Sequence, residues 1–152
     1  MEGFFNFASL EKKIRYTLGK EKRLKSRKAI ELLFKSGKSF SIFPFRILYL
    51  FHQANPSLAN RELTPAISGL KAGFTVSSRH FKKAVDRNRI KRLMREAYRL
   101  QKNELQLLPE LNKYGLTLFF IYVGKELPEY ELVYEKTAIV LNRLIKLTVE
   151  KN

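Results

Sequence analysis

The chain has 152 residues, 45% of them hydrophobic, no cysteine, and a formal net charge of +16. That composition suits one domain with a real core and excludes disulfide scaffolds, thiolate metal sites and a disordered basic tail. No apolar run approaches the ~18 residues of a membrane span, and Met1–Leu10 lacks the basic region of a secretory signal, so the cytoplasm is the expected compartment.

In chain order, Phe4, Phe5, Phe7, Leu10 and Ile14 form a weak helical pattern in what reads as an extension, residues 1–19. A domain of residues 20–150 follows. A basic run (Lys20, Lys22, Arg23, Lys25) leads to Ser26, which predicts an N-cap, and then Ala29, Ile30, Leu33 and Phe34 recur at helical spacing. Gly37 sits where a left-handed C′ glycine would end that helix. Ser39–Phe43 and Phe45–His52 have strand chemistry, with Pro44 between them as an edge or bend. Residues 53–70 read as a long exposed loop, and Lys71–Val76 as the next strand.

Arg79–Arg99 carries nine basic residues against two acidic ones, Asp86 and Glu96. Within it Ile90, Leu93, Met94, Ala97 and Tyr98 fall on one helical stripe, while Asn88, Lys91, Arg92, Arg95 and Arg99 project from the other side. Asp86 stands at the N-cap of this helix or just inside its start. Solvated helices usually alternate charge sign, but Lys91, Arg95 and Arg99 stack like charges at i, i+4, which is unfavourable without a counter-anion. Arginine forks also grip phosphate bidentately. A nucleic-acid surface is the expectation, with Arg79, Arg23 and Lys25 contributing from the neighbouring basic segments.

Pro109 and Gly115 then predict a turn. Leu116–Val123 is apolar on both faces, as a central strand would be. A last helix is expected from about Glu129 to Thr148, acids first and bases last. The order is helix, three strands, helix, strand, helix, an α+β arrangement in a single domain. Charge thins out along the way: residues 11–38 hold eleven basic and three acidic groups, residues 101–152 seven of each.

An independent catalyst is not indicated, and no catalytic residue or metal ligand is assigned. Asp86 is the only aspartate, so the converging carboxylates of a two-metal nuclease are missing. His52 and His80 are isolated, and no glycine-rich phosphate loop occurs.

The stretch A-V-D-R-N-R-I-K-R-L-M-R-E-A-Y-R-L, Ala84 to Leu100, resembles the arginine-asparagine-arginine motif of the bacterial ribonuclease P protein component. K-R-L-K at Lys22–Lys25, F-K-S-G at Phe34–Gly37 and G-F-T-V-S at Gly73–Ser77 fit the same family in order, and the likeness covers roughly residues 20–147. The resemblance implies an α-β-β-β-α-β-α sandwich, with a four-stranded sheet and a left-handed βαβ crossover, similar to a domain of a small-subunit ribosomal protein. It implies the protein subunit of an RNA-based endoribonuclease that removes the 5′ leader of precursor tRNA. The RNA subunit would carry the catalytic centre and bind most of the Mg²⁺, none being held by protein side chains alone. The implied partners are that catalytic RNA and the leader, with no membrane and no obligate protein partner.

Carried over by position, Arg87, Asn88, Arg89, Lys91, Arg92 and Arg95 would contact RNA or the ions and phosphates near its junction with the leader. Ile30 and Phe34 match first-helix positions facing a leader cleft, where the family often has Phe at both. From the strand, Phe45 and Tyr49 (with Ile47) are the candidates; the alternative set is Arg46, Leu48 and Leu50, and alternation alone does not choose. Ser78 intervenes before Arg79, where the family usually has a basic pair. The main rival is a ribosomal or ribosome-assembly protein with the same basic helix. A helix-turn-helix fits poorly, since a strand and loop precede the motif helix. A stand-alone nuclease would have to cleave without RNA.

Overall fold

The computed structural model describes residues 23–24, 26–53 and 69–150. The extension 1–19, Lys25 and residues 54–68 of the expected loop lie outside the described residues.

Helix α1, Arg27–Ser36, begins as its sequence predicts: the Ser26 side chain accepts the Ala29 N–H at 3.4 Å. Its end corrects one expectation. Gly37 is extended (φ −73°, ψ 155°), not left-handed. Glycine is required there by space, because a Cβ would lie 2.4 Å from the Leu33 carbonyl oxygen and 2.8 Å from its Cδ1. Strands β1 (Lys38–Ile42) and β2 (Phe45–Gln53) flank a turn at Phe43–Pro44, whose peptide bond is cis. Strand β3 spans Leu70–Val76 and the motif helix α2 spans Ala84–Gln101. Two short helices, α3 (Asn103–Gln106) and α4 (Glu110–Lys113), replace the expected turn. Strand β4, Tyr114–Tyr122, already contains Gly115, and α5 runs Tyr130–Glu150.

The sheet order is β1-β2-β4-β3, antiparallel except for β3 with β4, the pair that α2 connects. β4 is therefore central, as its two apolar faces require. One sheet face carries Phe45, Ile47, Leu116, Leu118 and Phe120 against Ile90, Met94 and Tyr98 of α2 and Val133, Val140 and Leu144 of α5. Phe120 lies at the centre of an aromatic cluster, with ring centroids 5.2 Å from Phe74 and 5.7 Å from Tyr98. The opposite face packs Leu48 and Phe119 under Leu24, Ala29 and Leu33. Among the described residues α1 is the only helix on that side.

Near the far end of that face, buried His52 shares a 2.9 Å hydrogen bond with Thr117 Oγ1. Burial holds the imidazole below its ordinary pKa of 6.5. The unfolded chain therefore takes up the proton first, and the contribution of His52 is present above pH 6.5 and lost as pH falls below it. In His52→Gln, urea unfolding should show a flatter decline of stability with falling pH. Parallel pH profiles for variant and parent would exclude this role.

Candidate functional site

The first turn of α2 is built by an arginine. Arg87 Nη1 donates to the carbonyl oxygens of Phe81 and Lys82, both at 2.8 Å, and so ties the incoming chain to the helix. Phe81 is buried against Tyr122. Lys83 occupies the N-cap without a side-chain hydrogen bond, and Asp86 falls inside the first turn, where the positive end of the helix favours a carboxylate. Arg87 is consequently part scaffold. Arg87→Ala should cost about 1–2 kcal/mol in urea unfolding, since two backbone carbonyls, that of Phe81 in a partly buried bond, lose a charged donor. Arg92→Ala should cost nothing measurable. Equal stability of the two variants would contradict the assignment.

Beyond that turn the helix divides as its sequence predicts. Ile90, Met94, Ala97 and Tyr98 are buried. Asn88, Arg89, Arg92 and Arg95 are exposed and Lys91 is half-exposed. Among the described residues no ion pair joins Arg89, Lys91, Arg92 or Arg95 to a carboxylate; the pairs are Arg27–Glu31 and Arg99–Glu96. Arg99 departs from the ridge, because its guanidinium binds both Glu96 oxygens, at 3.1 and 2.5 Å. That bond holds the Glu96 carboxyl below its usual range. The like-charge stack is relieved at this end and left unrelieved from Lys91 to Arg95. Arg79 is exposed in the connection before α2.

Beside the ridge lies a groove of about 220 Å³ over the α1 side of the sheet, lined by Ile30, Phe119, Gly73, Thr75, Arg23 and Arg95 among others. Arg23 is placed by the preceding chain, which adds a parallel bridge to Ala72 at the β3 edge. Phe34, with 56% of its surface exposed, does not line the groove itself but sets its ring edge-on to the groove residue Phe119 at 5.6 Å. Gly73 makes the floor possible: a Cβ there would meet the Phe119 ring at 2.8 Å. The groove therefore joins apolar surface to arginines on two elements, which suits a single-stranded polyanion with stacking bases. A hollow of about 590 Å³ between the Phe43–Pro44 turn and the Gly124–Pro128 loop is larger, but it sets Lys125 beside Glu126 and Glu129 and lacks that charge bias.

Ile30 lines this groove, and Phe34 adjoins it through Phe119. Phe45 and Tyr49 do neither, and here the expectation is corrected. Phe45 is 0% exposed in the core under α2 and α5, and Tyr49 packs against the same core. Register puts Arg46, Leu48 and Leu50 on the α1 side instead, so the alternative strand set is the one that shares a face with Phe34. Phe119 was not anticipated, because β4 is apolar on both faces and alternation is silent there; Thr75, on β3, was not singled out either. Gly73 did carry a signal, since a glycine inside a strand marks close approach.

A family model described as Ribonuclease P matches residues 18–146. The chain belongs to the ribonuclease P protein family. The ribonuclease P protein component of Chlorobium phaeobacteroides is 36% identical over 141 residues, 87% of this chain and 92% of that one. That of Porphyromonas gingivalis is 33% identical over 118 residues, 78% and 79% of the two chains. Among solved structures, the Thermotoga maritima RNase P protein in complex with 1-(4-fluorophenyl)-2-thiourea superposes with a TM-score of 0.57 at 27% identity, covering 80% of this chain and 98% of that one. The Staphylococcus aureus RNase P protein shares the fold, with a TM-score of 0.54 at 20% identity over 81% and 94%. As a ribonuclease P protein the chain is a subunit of a tRNA-processing ribonuclease, and its single α+β domain with a four-stranded sheet agrees with those neighbours. Among the described residues no helix is long and apolar enough to cross a membrane.

Proposed function

We propose that the chain binds the catalytic RNA of ribonuclease P through the exposed side of α2 and holds the 5′ leader of precursor tRNA in the groove beside α1. One observation carries the reading: Arg89, Lys91, Arg92 and Arg95 stand on a helix whose opposite stripe is buried, and none of them pairs with a carboxylate among the described residues. Rigid guanidinium groups without internal counter-ions suit the phosphates of a folded RNA. Asn88 and the solvent-facing part of Arg87 extend that surface at the first turn, with Arg79 and Arg23 nearby. Ile30, Phe34 and Phe119 offer the leader apolar and aromatic contact with little reading of sequence. Mature tRNA lacks the leader, so the groove favours substrate over product.

Bond cleavage belongs, on this reading, to the RNA. Phosphodiester hydrolysis in such a particle draws on Mg²⁺, and the protein does not fit the role of its holder. Among the described residues no three His, Asp or Glu side chains converge. Asp86, the only aspartate, lies among cations. The protein's task is to neutralise, orient and retain RNA in the cytoplasm, with no obligate protein partner. Reconstitution tests it: at low Mg²⁺ the protein should accelerate precursor cleavage by the catalytic RNA and cleave nothing by itself. Cleavage by RNA-free protein, or no response of the RNA to the protein, would overturn the proposal. Recovery of ribosomal RNA alone from purified native protein would favour the assembly-factor reading.

A further inference from the structure

At the end of the sheet where β1 turns into β2, Phe43 leaves 73% of its surface in solvent. It stands at the edge of the hollow of about 590 Å³ described above, whose lining also includes Leu127 and Leu132, both exposed. The hollow is held in shape from several sides. The Val123 N–H donates to the Pro44 carbonyl at 2.9 Å and so ties the Gly124–Pro128 loop to the turn. The Tyr122 hydroxyl donates to the Glu126 carbonyl at 2.6 Å. Gly124 lies close against the same ring, where a Cβ would come within 2.6 Å of the hydroxyl oxygen. That ring is itself buried against Phe45 and Phe81. A preformed cavity therefore has an aromatic knob at its own rim.

Charge points to the occupant. With a net charge of +16, two copies of the chain repel each other over most approaches. Around the hollow, however, Lys125 stands with Glu126 and Glu129, all three exposed. Among the described residues no ion pair uses any of them. A two-fold contact sets a patch against itself, so a patch of one sign repels its copy while a patch carrying both signs can pair with it. We infer that this hollow is a self-association surface. Phe43 of one copy enters the hollow of a second across a two-fold axis, and Lys125 of each faces the acids of the other. An aromatic side chain seated in a pocket is the common anchor of such contacts. The patch is small beside the interfaces of permanent dimers, so the association is weak and reversible. None of Arg89, Lys91, Arg92 and Arg95 lines the hollow, and the inference does not depend on the RNA reading.

Sedimentation equilibrium of the full chain without RNA tests it. The average mass of the parent should climb from one chain towards two as its concentration rises. Added salt should strengthen the association, because the Debye length shrinks from about 30 Å at 0.01 M to about 10 Å at 0.1 M and the repulsion is screened. RNA binding responds to salt in the opposite sense. Phe43→Ser should raise the dimer dissociation constant about tenfold or more. Its thermal unfolding should match the parent, since the ring is exposed. Two charge variants test the pairing: Lys125→Glu makes the patch wholly acidic, and Glu126→Lys with Glu129→Lys makes it wholly basic. Each alone should stay monomeric, and an equimolar mixture of the two should associate. A parent that remains a single chain at every concentration and salt overturns the inference. So does a dimer that Phe43→Ser leaves unchanged, or a mixture that stays monomeric where the parent dimerises.

Discussion

Replacing Lys91, Arg92 and Arg95 together by alanine should lower affinity for the catalytic RNA by about two to three orders of magnitude at moderate salt, with no loss of folding stability. On the proposed reading each contact is a charge-assisted hydrogen bond to phosphate, so three lost contacts compound to that size. The fold has no reason to suffer. The three side chains are exposed or half-exposed, and none pairs with a carboxylate among the described residues. Alanine is also the better helix former, and Lys91 and Arg95 no longer repel at i, i+4. The unfolding midpoint should therefore hold or rise slightly. A midpoint several degrees lower would mean that these cations hold the protein together and that RNA is not needed to explain them.

The opposite side of the same helix should respond in the opposite way. Ile90 is 0% exposed at the interface of α2 with the sheet. Ile90→Asp puts a carboxylate there with no designed partner, and the desolvation of an unpaired charge costs several kcal/mol or more. That is comparable with the ~5–15 kcal/mol that holds a domain of this size together. The variant should show no cooperative thermal transition under conditions where the parent is folded, and its RNA affinity should drop to the level of a disordered basic chain. A folded, cooperative Ile90→Asp protein would show that α2 is docked more loosely than its burial implies. Together the two substitutions test the division of the helix into a side that makes the fold and a side proposed to meet RNA.

Much of this was legible in the sequence where one residue pattern had one physical meaning. The stripe from Ile90 to Tyr98 buries as its period demands, Ser26 caps α1, and the doubly apolar β4 sits in the middle of the sheet. What was not legible depended on contacts distant in the chain. Phe45 and Arg46 are equally plausible on either side of β2 until α1 and α2 take their places, and only the register shows which is inward. Charge misled in both directions. Arg87 belongs to the motif but ties two backbone carbonyls, and Arg99 is joined to Glu96. Lys102 is buried at the junction of α2 and α3, where its ammonium donates to Gln106 Oε1 at 3.0 Å. A lysine just past a basic segment gives no hint of that, because composition reports charge and not its surroundings. Gly37 ends α1 as expected but for lack of room, not for backbone handedness.

The most direct measurement is the salt dependence of binding to purified ribonuclease P RNA. A surface that grips phosphate oxygens releases counter-ions, so log affinity should fall steeply and linearly with log salt, and the alanine triple variant should lose about three units of slope. A parent whose affinity hardly changes with salt, or a triple variant with an unaltered slope, would mean that the exposed cations of α2 meet no RNA.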